Sequence, residues 1–445
     1  MMRIAIIGGG ISGLTAAYCL HGRHDITLFE ANKYIGGHTN TINVEHQGER
    51  LAIDTGFIVF NYQTYPNFTR LLNQLGVASQ PTAMSFSMKC GRTGLEYRGA
   101  DLNGFFAQRR NLVSPRFYRL LRDILRFNRQ SLEVLESNDE EQTVGEYLAR
   151  ERFSKDFIEQ YFLPMGSAIW SCPLGTFEQF PIRFIVDFYL NHGILAIRDR
   201  PQWRVICGGS NNYVKALTAR FADSICLNAP IISVTRKDDS VEVCASDGIP
   251  QRFDHVIFAC HSDQALRILG EDANSVEREL LSEFPYESNV AQLHTDISVL
   301  PQNRRAWACW NYFAPRDSNE KATVTYNMNL LQNLSSKNTF CVTLNGEDRV
   351  DSQKVIQSIN YAHPIFTAGR AKAQRRHAEV INVRRTSFCG AYWGNGFHED
   401  GVNSALAVCQ SLMETDETWK AESTKVGFDI DALHPLNTAF AIESS

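Results

Sequence analysis

The chain opens on an apolar run, Arg-Ile-Ala-Ile-Ile over residues 3–7, with no polar position alternating through it. Such a run predicts a strand buried on both faces, the kind found in a parallel sheet. A glycine cluster follows, and then Leu14, Ala17, Tyr18 and Leu20 continue as a helix. A second strand is predicted over Asp25–Phe29, ending at Glu30. Farther along, Pro230–Val234 starts an alternating strand whose partner carries Val241, Val243 and Ala245. Asp247-Gly248 supplies a hairpin turn. Asp254–Cys260 reads as one more strand closing this unit, and helices are predicted over residues 212–221 and 405–412. This alternation predicts an α/β (α+β) chain built on a Rossmann-type domain.

The glycines fall where chemistry is expected. Gly8-Gly9-Gly10-Ile11-Ser12-Gly13 fits GxGxxG between the first strand and its helix. Gly8 permits the tight turn, Gly10 lets a pyrophosphate approach the backbone, and Gly13 allows close packing of helix on strand. The helix start around Ile11 and Ser12 offers N–H groups and the positive end of the dipole to phosphate. Glu30 is placed to accept hydrogen bonds from ribose hydroxyls, and its charge disfavours a 2′-phosphate. Strand, glycines, helix, strand and acid in that order make the motif far more specific than the glycines alone.

Ile35-Gly36-Gly37-His38-Thr39 then resembles the second glycine pair of the flavin amine oxidase, protoporphyrinogen oxidase and carotenoid desaturase superfamily. Asp54-Thr55-Gly56-Phe57 and Pro66–Val77 look like its next elements, and Phe388–Val402 is similar to its final flavin-binding strand and helix. The chain looks closest to a bacterial family of predicted NAD/FAD-binding proteins that accompany cyclopropane-fatty-acid synthases. The stretches carrying this likeness are DTGFIVFN (54–61), FFAQRRN (105–111), PQWR (201–204) and CGAYWGNGFHEDG (389–401).

The resemblance implies FAD as cofactor and a Rossmann-type FAD-binding domain with an inserted mixed α+β substrate domain, amine oxidase-like. It implies cofactor contacts at Gly36, Gly37, His38 and Thr39, at the Ile231 backbone near adenine, and at Gly390, Phe397, Gly401 and Val402 near the isoalloxazine. A helix start near Gly401 would aim N–H groups at the reduced flavin. Tyr392 and Trp393 read equally well as core. The expected division assigns 1–80, 200–285 and 375–445 to the FAD domain, and 81–199 and 286–374 to the substrate domain. The expected reaction is dehydrogenation of a lipid or fatty-acyl substrate by hydride transfer to flavin. His398, Glu399 and His294 are the candidate catalytic bases. Two other classes stay open: an amine or porphyrinogen oxidase, and a non-catalytic flavoprotein partner of a lipid methyltransferase. No lysine occurs between Lys237 and Lys321, where amine oxidases usually carry one near flavin N5.

Composition narrows the setting. A length of 445 residues predicts more than one core, and a net charge of −5 argues against nucleic acid as a partner. The 11 cysteines show no CxxC pairing, which predicts reduced thiols, a cytoplasmic location and no metal site. No transmembrane segment is predicted: residues 161–177 lack charge but contain Pro164 and Pro173. Residues 105–130 hold seven arginines and one acid, Asp123, interleaved with aromatic and aliphatic positions. Ser114-Pro115 predicts a helix start. The segment reads either as a helix packed on the domain or as a contact with an anionic membrane surface. The aromatics of Phe157–Ile197 read either as core or as the wall of an apolar channel.

Overall fold

The computed structural model describes residues 1–137, 139, 141–170, 174–196, 200–316, 322–365, 367 and 369–414. Residues 415–445 of the expected FAD domain, together with Pro173, Ile197 and Lys321, lie outside the described residues.

Five parallel strands form the central sheet, in the order Ile225–Cys226, Asp25–Phe29, Arg3–Ile7, His255–Phe258, Thr386–Phe388. In chain order this is 3-2-1-4-5, the doubly wound arrangement in which a ligand sits at the carboxyl ends of the strands. Ile4, Ala5 and Ile6 are fully buried, as the unbroken apolar run requires. The helix Ile11–Leu20 is buried along almost its whole length because the final helix, His398–Glu414, covers its outer side. That helix begins seven residues before the predicted Ala405, so its first turn takes in His398, Glu399, Asp400 and Gly401. The antiparallel meander Ile231–Arg236, Val241–Ala245, Pro250–Phe253 turns at Gly248, whose φ of +77° suits glycine.

A second, mixed sheet has seven strands. Its centre is the antiparallel set Val355–Pro364, Tyr286–His294, Cys341–Leu344, Thr323–Asn327 and Trp310–Ala314, continued by Phe86–Cys90 and Glu96–Arg98. Helices between residues 102 and 191 pack on it around Phe157, Phe162, Phe177, Phe180 and Tyr189. Pro164 does not break this region. It lies inside a continuous helical stretch from Lys155 to Trp170, two residues after the π-turn Ile158–Phe162, whose wider winding accommodates the missing N–H.

The arginine-rich segment forms the helix Pro115–Gln130, capped by Ser114, whose hydroxyl accepts from Phe117 N–H. Phe117, Leu120, Ile124 and Phe127 are buried against the domain. Asp123 is buried too and accepts from Ser154 N–H at 3.0 Å. The apolar face is therefore spent on the core. What faces outward is Tyr118, Arg122, Leu125 and Arg129, at helical spacing, with exposed Leu112 and Val113 just before them. No helix among the described residues is long and apolar enough to cross a membrane.

Candidate functional site

A cavity of about 1160 Å³ runs from the carboxyl ends of the parallel strands to the helices that cover the second sheet. Ordinary small-molecule pockets hold roughly 300–1,000 Å³, so this one lies just beyond the upper end of that range. At one end it is lined by Gly8, Gly9, Gly10, Ile11, Ser12, Glu30, Gly36, Gly37 and His38. A separate groove of about 620 Å³ near Gln47, Trp307 and Lys354 contains none of these residues.

The glycines differ in what they do. A Cβ on Gly13 would stand 1.9 Å from the Gly8 carbonyl, so Gly13 is where helix meets strand. A Cβ on Gly8, whose φ is +111°, would meet the Ala259 carbonyl at 2.8 Å. Gly10 is the opposite case: a Cβ there meets nothing within 4 Å. The space beside its backbone is open cavity, at the start of the helix Ile11–Leu20, which has no side-chain cap. Gly37 closes against it, since its Cβ would come within 3.0 Å of Gly10 Cα. Glu30 is buried; one carboxylate oxygen accepts from Gly9 N–H at 2.8 Å and the other from Asn32 N–H at 2.8 Å. His38 also faces the cavity, and its Nε2 is buried without a partner. An open glycine cradle at a helix start, a carboxylate on the second strand and an orphaned nitrogen beside them fit a dinucleotide.

Three comparisons with known proteins agree. Residues 11–296 match the model of the flavin containing amine oxidoreductase family. The chain belongs to this family. An L-amino-acid oxidase of Mus musculus is 23% identical over 276 residues, covering 59% of this chain and 40% of that protein. One of Pseudechis australis is 45% identical over 47 residues, 10% of this chain and 9% of that protein. The matched stretches thus span less than half the length of these relatives. Among solved structures, a CLA-producing fatty acid isomerase from P. acnes superposes with a TM-score of 0.65 at 16% identity, covering 93% of this chain and 98% of that one. Cyclohexylamine oxidase from Brevibacterium oxydans IH-35A gives 0.62 at 16% identity, covering 92% and 99%. At these identities the structures establish the shared fold. The protein is a flavin oxidoreductase, and its cofactor is FAD.

Ile231, Gly390, Phe397 and His398 line the same cavity, along with Tyr392. Other predicted residues support it from outside. Thr39 shares a triangle of hydrogen bonds with Tyr213 OH (2.5 Å) and His398 Nε2 (2.9 Å). Gly401 lets the final helix cross the first one, since its Cβ would lie 2.7 Å from Ile11 Cγ2, and Val402 is fully buried in that contact. Trp393 is core, packed on Phe284.

The three expected bases fare differently. His294 is fully buried in the second sheet and does not line the cavity. Its Nε2 meets Thr343 Oγ1 at 2.7 Å and its Nδ1 accepts from Asp296 N–H at 3.0 Å, so it is a structural histidine. Glu399 lies outside the lining as well. Its two oxygens accept from Asn67 and Phe68 N–H at 3.0 and 2.9 Å, capping the helix Pro66–Gln74, and burial raises its pKa to about 7. His398 faces the cavity, but its ring is stacked on Phe57 at 3.5 Å and its Nε2 is engaged by Thr39 and Tyr213 OH (3.0 Å). Burial holds its pKa well below the usual histidine range. It is a neutral, fixed part of the wall.

One histidine absent from the sequence reading is better placed. His192 lines the cavity and stacks on Phe188 at 3.8 Å; Phe397 lies 5.8 Å away. Its Nδ1 is 3.0 Å from the Phe188 carbonyl, which can only accept, so the proton sits on Nδ1. Nε2 therefore carries a free lone pair. Burial lowers the pKa to about 4, keeping this lone pair unprotonated at neutral pH. No local motif marks His192, because what defines it is a ring stack and a tautomer.

The far end of the cavity is walled by Tyr161, Met165, Ile169, Trp170, Phe188 and Ile194. Phe162, Phe177, Phe180 and Tyr189, from the same aromatic-rich stretch, are core. Both readings of that stretch therefore hold, for different residues.

Proposed function

We propose that the protein dehydrogenates a lipid or fatty-acyl substrate whose chain lies in the aromatic end of the cavity. The observation that carries this is the chemistry of the lining. Among the described lining residues the only carboxylate is Glu30, at the cofactor end, and there is no lysine. An ammonium substrate would meet no counter-charge in the apolar chamber. The permanent cations of the lining are Arg200 and Arg267. A long apolar chain with a neutral or anionic head suits this wall, and a polyamine does not. A fatty acid isomerase of the same fold is consistent with such a ligand.

FAD, when bound, supplies the hydride acceptor. The chain's own residues do the rest. Phe397 and Phe188, stacked at 5.1 Å, form the wall between the cofactor end and the chamber. The chamber excludes water and aligns the acyl chain. His192 Nε2 takes the proton that leaves as the double bond forms. The exposed stripe of Tyr118, Arg122, Leu125 and Arg129, with Leu112 and Val113, is the surface that meets the anionic membrane from which such a substrate comes.

The test is product analysis. Holoenzyme is mixed with vesicles of phospholipid carrying methylated acyl chains, and the chains are released and weighed by mass spectrometry. Loss of two hydrogens from the acyl chain is expected. Untouched lipid alongside consumption of amines would replace this reading with an amine oxidase. Untouched lipid with tight binding to a lipid methyltransferase would favour a partner role.

A further inference from the structure

Three histidines from distant segments meet beside the glycine loop. The His38 ring lies 5.3 Å from His363 and 6.3 Å from His261, centroid to centroid, and all three line the cavity. His38 is stacked on Tyr361 at 4.9 Å and His261 on Tyr286 at 4.1 Å, so two of the rings are braced by an aromatic face. The cluster's position is fixed by backbone contacts. His38 follows Gly37, which abuts Gly10 at the start of the first helix, and His261 comes two residues after Ala259, whose carbonyl abuts Gly8.

The proton on His363 is placed by a relay. Val290 N–H donates to Asn345 Oδ1 at 3.0 Å, Asn345 Nδ2 to Asn289 Oδ1 at 2.7 Å, and Asn289 Nδ2 to His363 Nδ1 at 3.0 Å. The backbone end of the relay sets each amide's orientation, which leaves Nε2 of His363 as the N–H donor. His38 Nε2, by contrast, has no partner at all. A buried polar atom left unpaired in a native fold calls for a ligand or water.

We propose that His38, His261 and His363 form the anion site for the FAD diphosphate, and that binding loads a proton onto the cluster. The inference rests on FAD being the cofactor and adds how it is held. Burial lowers all three pKa values, His38 to about 4 and the other two to about 3. A diphosphate among them favours the charged form and raises them again.

The other charged groups at the cluster are Glu30 from the second strand, Glu287 paired across from His363, and Asp263 and Arg267 on the helix Ser262–Leu269. Tyr34 and Cys260 are each pushed up to about 12, and Tyr286 and Tyr361 are raised as well, all by burial, so none of these gains a charge near neutral pH.

The sign follows from linkage. Bound protein holds more protons than free protein at pH values between the depressed free pKa and the raised bound one. FAD affinity therefore rises as pH falls through that window, by up to about tenfold per pH unit for one proton.

The experiment is calorimetric titration of folded apo-protein with FAD at several pH values between about 8 and 6, in buffers of different ionisation enthalpy. Tightening of Kd as pH falls, with proton uptake, is expected. His38→Arg should bind FAD with a flatter profile and less uptake. That variant also separates the cluster from Glu399, which titrates in the same window. If His38→Arg fails to fold, His363→Gln should show the same loss of proton uptake. A wild-type Kd flat with pH and free of proton uptake would overturn the proposal while leaving FAD as cofactor. Failure of folded apo-protein to bind FAD at any pH would overturn both.

Discussion

The two ends of the cavity are built by different means. At the glycine end the backbone makes the shape: Gly8, Gly13 and Gly37 stand where a Cβ would collide with main-chain atoms, and Gly10 borders open space. At the aromatic end side chains make the shape, with Trp170 against Phe188 at 4.9 Å and Phe188 against Phe397 at 5.1 Å. Backbone geometry admits few substitutions and recognises one ligand. A wall of side chains can be resized without losing the fold, which lets one scaffold take different substrates.

Glycine changes should have the largest effects. Gly13→Ala should abolish the folded protein, because the helix cannot lift off the strand by the required distance; circular dichroism reads this. Gly10→Ala should fold, since no protein atom lies within reach of the new Cβ, yet lose FAD. A Gly10→Ala protein that keeps its flavin would show that the diphosphate does not lie there. Next in size is His192→Ala, expected to lower turnover by about 10²–10⁴-fold with flavin still bound. His294→Ala should leave turnover per flavin unchanged and cost about 1–3 kcal/mol of stability, through the lost bonds to Thr343 and Asp296.

Enlarging the chamber by Met165→Ala should shift the preferred acyl length while changing kcat/KM by roughly 10–200-fold for the original chain. A separate effect is on acid stability. His38, His192, His261 and His363 are neutral when buried, so the unfolded chain gains protons below about pH 6.5 that the folded apo-protein does not. Stability should fall as pH drops from there towards about 4, and FAD should reduce that loss.

The same contrast explains what the sequence revealed. The parallel sheet, the first helix and the glycine loop are legible because each rests on contiguous residues. Gly8 through Ser12, Glu30 and Gly36 through His38 all reach the site from within one short stretch of chain. The final helix began earlier than predicted, because His398, Glu399 and Asp400 read as polar although the fold buries the first two as partners of Thr39, Asn67 and Phe68. His294 looked like a candidate base because its Thr343 partner is invisible from 49 residues away. His192, His261 and His363 carry no signal in the sequence for the same reason in reverse: isolated along the chain, they acquire roles only from rings and carbonyls that folding brings together. The basic helix 115–130 is amphipathic, as its periodicity predicts, but periodicity alone does not say whether its apolar face meets protein or lipid.

We propose that one continuous cavity holds FAD at the glycine end and an acyl chain at the aromatic end. The most direct test is the rate of flavin bleaching in anaerobic single turnovers, measured with acyl substrates of increasing length and with amines. Bleaching by acyl substrates is expected, faster and tighter with length until the chamber is filled, and none by polyamines or amino acids. Rapid bleaching by amines together with flavin that stays oxidised in every lipid would contradict it.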